Sequence, residues 1–381
     1  LAACGSQSTT TPTNAPTTAA TAAATTVPEV TSAPTAAPEA TNAPTAAPEA
    51  TSAPTGNVTT LTVMTHDSFS LSQEVLAEFE QQHNAKVALL PSGDAGAALN
   101  KAILAKNAPL ADVFFGVDNT FLGRAVAAGI FESYQPAALA NIPEQYRLDS
   151  TNQLIPIDHG FVTINYDKKY LADHQLTPPT DLRDLTKPDW KGLLVVENPA
   201  TSSPGLAFML ATIGTFGTEG SYTWLDYWRD LRANDVLVTE GWNDAYYTSF
   251  SGSSGQGPRP LVVSYSTSPA AEVYFSEGKL SEPPTGNLEA GSFLQVEYAG
   301  ILKGARQPEL ARQFVDFLLS KRAQEDIPLN MFVYPVVEGA SLPDVFASFA
   351  APPANFVNVA PDQIDQNREQ WIQQWTETVL R

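Results

Sequence analysis

The segment Leu261-Val262-Val263-Ser264-Tyr265-Ser266-Thr267-Ser268-Pro269 constrains the fold of this chain more than any other. An apolar run of strand type ends in an aromatic residue and hydroxyls, and a Pro opens the next helical stretch. Hydroxyls and free backbone N–H groups at a helix start form a cradle for polar and anionic ligand groups. The same order of apolar strand, small or polar residues and helix recurs at five further places in the chain. Six strand exits of this kind are expected to face one cleft that holds a small molecule.

The first lobe opens with a strand over 59–66, in which Leu61 and Val63 alternate with polar residues. A helix is expected over 72–83, with Val75, Leu76 and Phe79 on one face and a Ser70/Gln73 capping box. A strand over 86–91, a helix over 94–106 and a buried-type strand over 111–116 follow. Strand–helix–strand–helix–strand over so short a stretch is the pattern of a parallel α/β sheet. Ligands of such sheets bind beyond the carboxyl ends of the strands. Those ends are His66-Asp67-Ser68, Ser92-Gly93-Asp94 and Gly116-Val117-Asp118-Asn119, and each carries an Asp.

The second lobe begins near Ile155-Pro156-Ile157-Asp158-His159-Gly160, where the pattern turns into a strand over 161–166. Strands over 193–197 and 236–239 end in Asn198–Gly205 and Glu240–Tyr247, and an apolar helix starts at Leu206. These exits supply hydroxyls and aromatics where the first lobe supplies carboxylates. A strand over 294–303 carries the chain back to the first lobe, followed by a helix over 308–320 with Pro308 in its first turn. Residues 329–335 read as an apolar loop. The segment 361–380 puts Ile364, Trp371, Ile372, Trp375 and Val379 on one helical face, a packing stripe.

Residues 6–57 are almost wholly Thr, Ala, Pro and Ser, and the decad at 31–40 recurs at 41–50 with one change. Such a segment has too little apolar surface to offset its ordering entropy. It is expected to be a disordered linker spanning on the order of 150 Å if stretched at about 3.1 Å per residue. The expected organisation is therefore a lipobox remnant at 1–5, the linker at 6–57, lobe 1 at 58–155 and 290–381, and lobe 2 at 156–289. The only Cys is Cys4, within Leu1-Ala2-Ala3-Cys4-Gly5, which resembles a bacterial lipobox at the end of a signal peptide. Lipidation at Cys4 would tether the globular part outside the cytoplasmic membrane. The balance of 21 basic against 41 acidic residues, a net charge of −20, argues against nucleic acid and for neutral or cationic partners.

Across residues 61–381 the chain resembles the thiamine-binding proteins of bacterial uptake transporters, which have the two-lobed class II periplasmic binding fold. The resemblance is carried, in order, by Thr65–Phe69, Gly116–Asn119, Pro156–Gly160, Thr201–Leu206, Gly241–Tyr246, Ser264–Pro269, Leu294–Glu297 and Tyr334-Pro335. It implies a lipid-anchored, monomeric receptor of an ATP-driven importer (an ABC transporter), delivering thiamine or its phosphates to permease and ATPase subunits. No catalysis, cofactor or metal is expected. Trp242, Tyr265 and Phe332 would contact the ligand rings, and Asp94, Ser202 and Ser203 its hydroxyethyl or phosphate end. A phosphate would prefer the helix start after Ser203. Asp67, Ser68, Asp118, Asn119, Asp158, Tyr246, Thr267 and Ser268 complete the candidate ligand set. Asp67 and Asp118 also suit helix caps, and Asp158 the interlobe hinge.

Three positions depart from the family pattern: His66 and Ala271 replace tyrosines of relatives, and Phe332 replaces a Trp. These changes thin the aromatic enclosure, with Tyr246 or Tyr274 as substitutes. The alternative is a receptor for ferric ion or another small cationic or phosphorylated solute, on the strength of the pair Tyr246-Tyr247. Thiamine-cleaving enzymes of this fold use a Cys nucleophile, and residues 58–381 hold no Cys.

Overall fold

The computed structural model describes residues 58–252 and 257–381. Cys4 and the expected linker lie outside the described residues. The first elements are β1 (Thr59–Thr65), α1 (Gln73–His83), β2 (Ala85–Pro91), α2 (Ala95–Leu104), β3 (Val113–Asp118), α3 (Leu122–Ala127) and β4 (Phe131–Glu132). Next come β5 (Ile155–Asp167), α4 (Lys168–Asp173), β6 (Leu194–Glu197), α5 (Ser203–Phe216), α6 (Trp224–Ala233), β7 (Leu237–Thr239), β8 (Leu261–Tyr265) and α7 (Ser268–Phe275). The chain closes with β9 (Thr285–Leu302), α8 (Pro308–Leu318), α9 (Lys321–Met331), β10 (Tyr334–Pro335), α10 (Asp344–Phe349) and α11 (Pro361–Val379).

The strands form one sheet in the order β2-β1-β3-β9-β5-β8-β6-β7. Its two flanks are parallel, β2-β1-β3 on one side and β8-β6-β7 on the other. Between them β9 and β5 run antiparallel to each other and to their outer neighbours. The sheet is thus mixed, and the parallel arrangement expected for the first lobe holds for its three strands only. The two flanks are the lobes of a two-lobed α/β fold, and β5 and β9 are the strands that pass between them. The expected lobe limits at 155/156 and 289/290 fall inside these continuous strands.

Each lobe builds its core from the apolar faces its pattern predicts. Val75 and Phe79 of α1 pack with Phe314 and Phe317 of α8, the Phe79 and Phe314 rings 5.1 Å apart edge to face. In the other lobe α5 is buried almost all round, as its nearly unbroken apolar sequence requires. The five apolar residues expected on one face of α11 are all buried. Trp375 meets Trp228 of α6 edge to face at 5.4 Å, and Arg368 lies over the Phe121 ring beside α3 at 4.4 Å. The last helix therefore braces elements of both lobes.

Three expectations are corrected. The N-cap of α1 is Ser72, whose Oγ accepts the Val75 N–H at 3.3 Å, so the Ser70/Gln73 box does not form. The Ser72 N–H is held by Asp326 of α9 at 2.8 Å, a tertiary contact that fixes the helix start two residues later. Residues 155–160 and 285–293 belong to β5 and β9 rather than to the loops before them. Register shifts between Pro156 and Asp158 and between Val162 and Ile164 break the alternation that would have revealed them. Finally, α9 covers part of the segment read as a loop at 329–335. It is polar, carries Pro328, and is held by buried Gln324.

Candidate functional site

The carboxyl ends of all six flank strands converge on one cleft. Two backbone contacts close it from opposite walls: Ala97 N–H donates to Thr201 O at 3.2 Å, and Trp242 N–H donates to Asp94 Oδ2 at 3.0 Å. Gly96 makes the first approach feasible, since a Cβ there would lie 2.8 Å from Thr201 O. Asp94 is also the N-cap of α2, its Oδ1 accepting the Ala95 N–H at 2.8 Å. Burial pushes its carboxyl up, opposed by these hydrogen bonds and by His66.

The cleft holds three adjoining cavities that share Ser68 and Trp242. An inner one of about 70 Å³ reaches His66, Asp94, Ser203, Tyr265 and Glu297. A side cavity of about 360 Å³ lies toward Asp67, Glu240 and Asp244. An outer vestibule of about 730 Å³ is walled by Tyr246, Tyr247, Ser268, Glu272, Phe275 and Phe332. Small-molecule sites usually span about 300–1,000 Å³. The side cavity and the vestibule meet that size in the lobe arrangement seen, and the inner cavity would have to widen by lobe opening to take a ring.

Trp242 is held at three points. Its indole Nε1 donates to Ser264 Oγ at 2.9 Å, and Ser264 pairs with Ser268 at 3.0 Å. Its ring stacks on Tyr246 at 4.9 Å and 17°, and Tyr247 meets it edge-on at 5.3 Å. The Tyr246 hydroxyl donates to Glu272 Oε1 at 2.7 Å, and the Tyr265 hydroxyl to Gln295 Oε1 at 3.1 Å. These residues form an aromatic wall in which the Tyr246 and Tyr265 hydroxyls are committed to neighbours.

The floor is acidic. His66 Nε2 lies 3.2 Å from Glu297 Oε1, while its Nδ1 accepts the Ser68 N–H at 3.1 Å. Burial disfavours imidazolium here, but the Glu297 charge and hydrogen bond, with Asp94 and Asp67 behind them, outweigh it and raise the His66 pKa. The Ser68 bond engages Nδ1 as an acceptor and sets a limit on that effect. Asp158 sits opposite Glu297 in the β5–β9 ladder, fully buried. Burial and then the Glu297 charge push its carboxyl well above the usual range.

Of the candidate ligand residues, Asp67, Ser68, Asp94, Ser203, Trp242, Tyr246, Tyr265, Ser268 and Phe332 line the cavities. Asp67 also joins two strand exits, its Oδ1 accepting the Gly93 N–H at 2.8 Å. Asp118, Asn119, Asp158, Ser202 and Thr267 stand behind the walls. Asp118 Oδ1 accepts from Thr120 N–H at 2.7 Å and Phe121 N–H at 3.2 Å, which makes it the turn residue after β3. Asn119 clasps β9 through Leu294 O and Val296 N–H. Ser202 caps α5, and the Thr267 hydroxyl donates to Phe332 O, which fixes the left-handed backbone of Phe332.

Glu240, Asp244, Glu272, Glu297 and Met331 line the cavities without having been singled out. Glu297 had a signal, as the polar residue facing Asp158 on a returning strand. Glu272 had none, because its helix turns it back toward Tyr246.

Comparison with known proteins places the site in context. Residues 108–367 match the model of the family described as "Bacterial extracellular solute-binding protein". The thiamine-binding periplasmic proteins of Salmonella typhimurium and Escherichia coli are 33% and 32% identical over 326 residues, covering 84% of this chain and 94% of each relative. Iron uptake protein A2 of Synechocystis is 28% identical over 68% of this chain. Among solved structures, a periplasmic thiamin binding protein superposes with a TM-score of 0.74 at 30% identity, covering 86% of this chain and 99% of the other.

Proposed function

The chain belongs to the bacterial extracellular solute-binding protein family, and on that premise we propose that it is the receptor of an importer, capturing thiamine in its interlobe cleft. One observation carries this reading: Trp242 is fixed at the junction of the cavities, amid aromatic faces and carboxylates. Thiamine joins a permanently cationic thiazolium to a flat aminopyrimidine. Aromatic faces and nearby carboxylates attract the first, and aromatic rings stack on the second.

In this reading Trp242, Tyr265 and Phe332 contact the rings, and Asp94 and Ser203 face the hydroxyethyl end. The ligand enters with the lobes apart, and the Ala97–Thr201 and Asp94–Trp242 contacts form on closure. The closed form is what permease and ATPase partners of the ABC type would recognise. The receptor performs no chemical step and uses no cofactor or metal. It works as a monomer outside the cytoplasmic membrane, anchored by lipid on Cys4.

The test is thermal melting and tryptophan fluorescence of the full chain with thiamine or ferric ion. Thiamine at about 100 times its dissociation constant should add about 2.7 kcal/mol, a rise of about 5 °C. No response at millimolar thiamine would refute the reading, and a response to ferric ion alone would replace it with iron capture.

A further inference from the structure

We propose that the carboxyl pair Asp158–Glu297 shares one proton and gives it up when the cleft takes in its cation, so that capture and proton release are one event. The inference rests on the reading of the cleft as a thiamine site and adds how that site is regulated.

Glu297 is the member of the pair that reaches the ligand, since it lines the inner cavity together with Trp242 and Tyr265. Asp158 stands opposite it in the β5–β9 ladder and is fully buried. Among the described residues no donor meets either Asp158 oxygen, and the charged group that acts on it is the Glu297 carboxyl. Two carboxyls that face each other out of water do not both ionise readily, and the proton they keep belongs to the pair.

The titratable groups around the pair are placed differently. Asp94 accepts the Ala95 and Trp242 N–H groups, Asp118 those of Thr120 and Phe121, and Asp67 that of Gly93. Hydrogen bonds of this kind favour the charged form. At the exit of β1, His66 sets its Nε2 3.2 Å from Glu297 Oε1 and accepts the Ser68 N–H on Nδ1, which engages that lone pair away from the shared proton. On β8 the Tyr265 hydroxyl donates to Gln295, and on β10 the Tyr334 hydroxyl donates to Ala350 O. His159, next to Asp158 on β5, meets the Tyr146 hydroxyl through Nε2. Glu197 also has no donor on either oxygen, but it lines none of the three cavities. No Lys or Arg lines the inner cavity, and Arg368 of α11 acts on Asp118.

A cationic ring held by Trp242 and Tyr265 would therefore lie against Glu297 with no competing ammonium or guanidinium in that cavity. A positive charge within about 4–6 Å lowers a carboxyl pKa by about one to three units. The cation thus expels the shared proton, and by reciprocity the proton weakens capture of the cation by the same factor.

The experiment is a calorimetric titration of the full chain with thiamine at pH 6, 7 and 8, in pairs of buffers with different ionisation enthalpies, which counts the protons released. About 0.3–1 proton should leave per thiamine bound, and binding should tighten about 5-fold or more from pH 6 to pH 8. Asp158→Asn fixes one neutral partner, so it should release no proton and keep the wild-type pH 6 affinity throughout. Glu297→Gln should bind thiamine more weakly and likewise release none, which covers the case of an Asp158→Asn chain that does not fold. Glu197→Gln should keep the release. Thiamine binding without proton release and with one affinity at every pH would overturn the inference and leave thiamine capture intact. Release that persists in Asp158→Asn, or that is lost in Glu197→Gln, would overturn its assignment to this pair. No thiamine binding at any pH would end both.

Discussion

Asp94 Oδ2 accepts the Trp242 N–H at 3.0 Å while Asp94 Oδ1 caps α2, so one carboxylate joins a helix start in one lobe to the aromatic anchor of the other. Closure and ligand geometry are then coupled through a single side chain. Asp94→Ala should lose an N-cap worth about 0.5–2 kcal/mol of stability. It should also weaken thiamine binding about 10-fold, because a hydrogen bond to a charged group contributes about 1.5–3 kcal/mol. Asp94→Asn keeps an acceptor and should fall between the two. Titration with melting checks this, and a Asp94→Ala protein with unaltered affinity would show that the bond has no part in closure.

The Trp242 indole is oriented by Ser264, whose hydroxyl lies at the end of β8 and is fully buried. Ser264→Ala leaves the indole N–H without this partner and should cost about 0.5–1.5 kcal/mol in binding, a 2- to 10-fold loss. Trp242→Ala removes the stacking surface as well and should weaken thiamine further. Ring current shifts of bound thiamine in proton NMR would report the change in ring orientation directly. Identical shifts in Ser264→Ala and wild type would sink the assignment.

The strand exits were legible in the sequence because each joins an apolar run to small polar residues, a local signal. Their convergence was expected from the repeated strand exits, but the arrangement that produces it, β5 and β9 placing two parallel flanks in one sheet, was not legible. Which carboxylates face the cavity was not legible: Asp118 and Asp158 look like Asp67 and Asp94 in sequence. Tertiary placement separates them: the turn at Thr120 and Phe121 holds Asp118 behind the wall, and Asp158 lies within β5 beneath the floor. Helix α9 was hidden for a related reason, because Gln324 and Pro328 occupy core positions that an apolar pattern would fill.

Gln324 makes a testable exception to apolar packing. Its Nε2 donates to Ile157 O at 2.8 Å and Leu318 O at 2.9 Å, and its Oε1 accepts from Val336 at 3.0 Å and Val337 at 3.1 Å. It thereby ties α8, β5 and the segment after β10 to one buried amide. Gln324→Leu keeps the volume and leaves four backbone groups unpaired, each costing about 1–3 kcal/mol if it stays dry. A loss of at least about 3 kcal/mol in denaturant unfolding is expected. A loss under about 1 kcal/mol would mean that water or backbone shifts replace the amide.

Burial sets how stability depends on pH. Asp118 is pushed up to about 6 by burial, against hydrogen bonds from Ser203 and Thr120, and Glu197 is raised well above its usual range by burial and then by Asp94. Such acids bind protons more tightly folded than unfolded, so stability falls as pH rises from the unfolded value through the folded one. For Asp118 that window runs from near 4 to about 6. His66, raised on balance, acts in the same sense above pH 6.5. His159 acts in the opposite sense: burial lowers it to about 4, so its contribution is lost as pH falls below 6.5. Asp118→Asn isolates one group from this sum. Relative to wild type, the variant should gain stability between pH 4 and 7 by about 3 kcal/mol at most, taking 1.36 kcal/mol per pKa unit. Denaturant unfolding at pH 4, 5.5 and 7 measures the difference. Parallel curves for the two proteins would show that Asp118 titrates alike in the folded and unfolded chains.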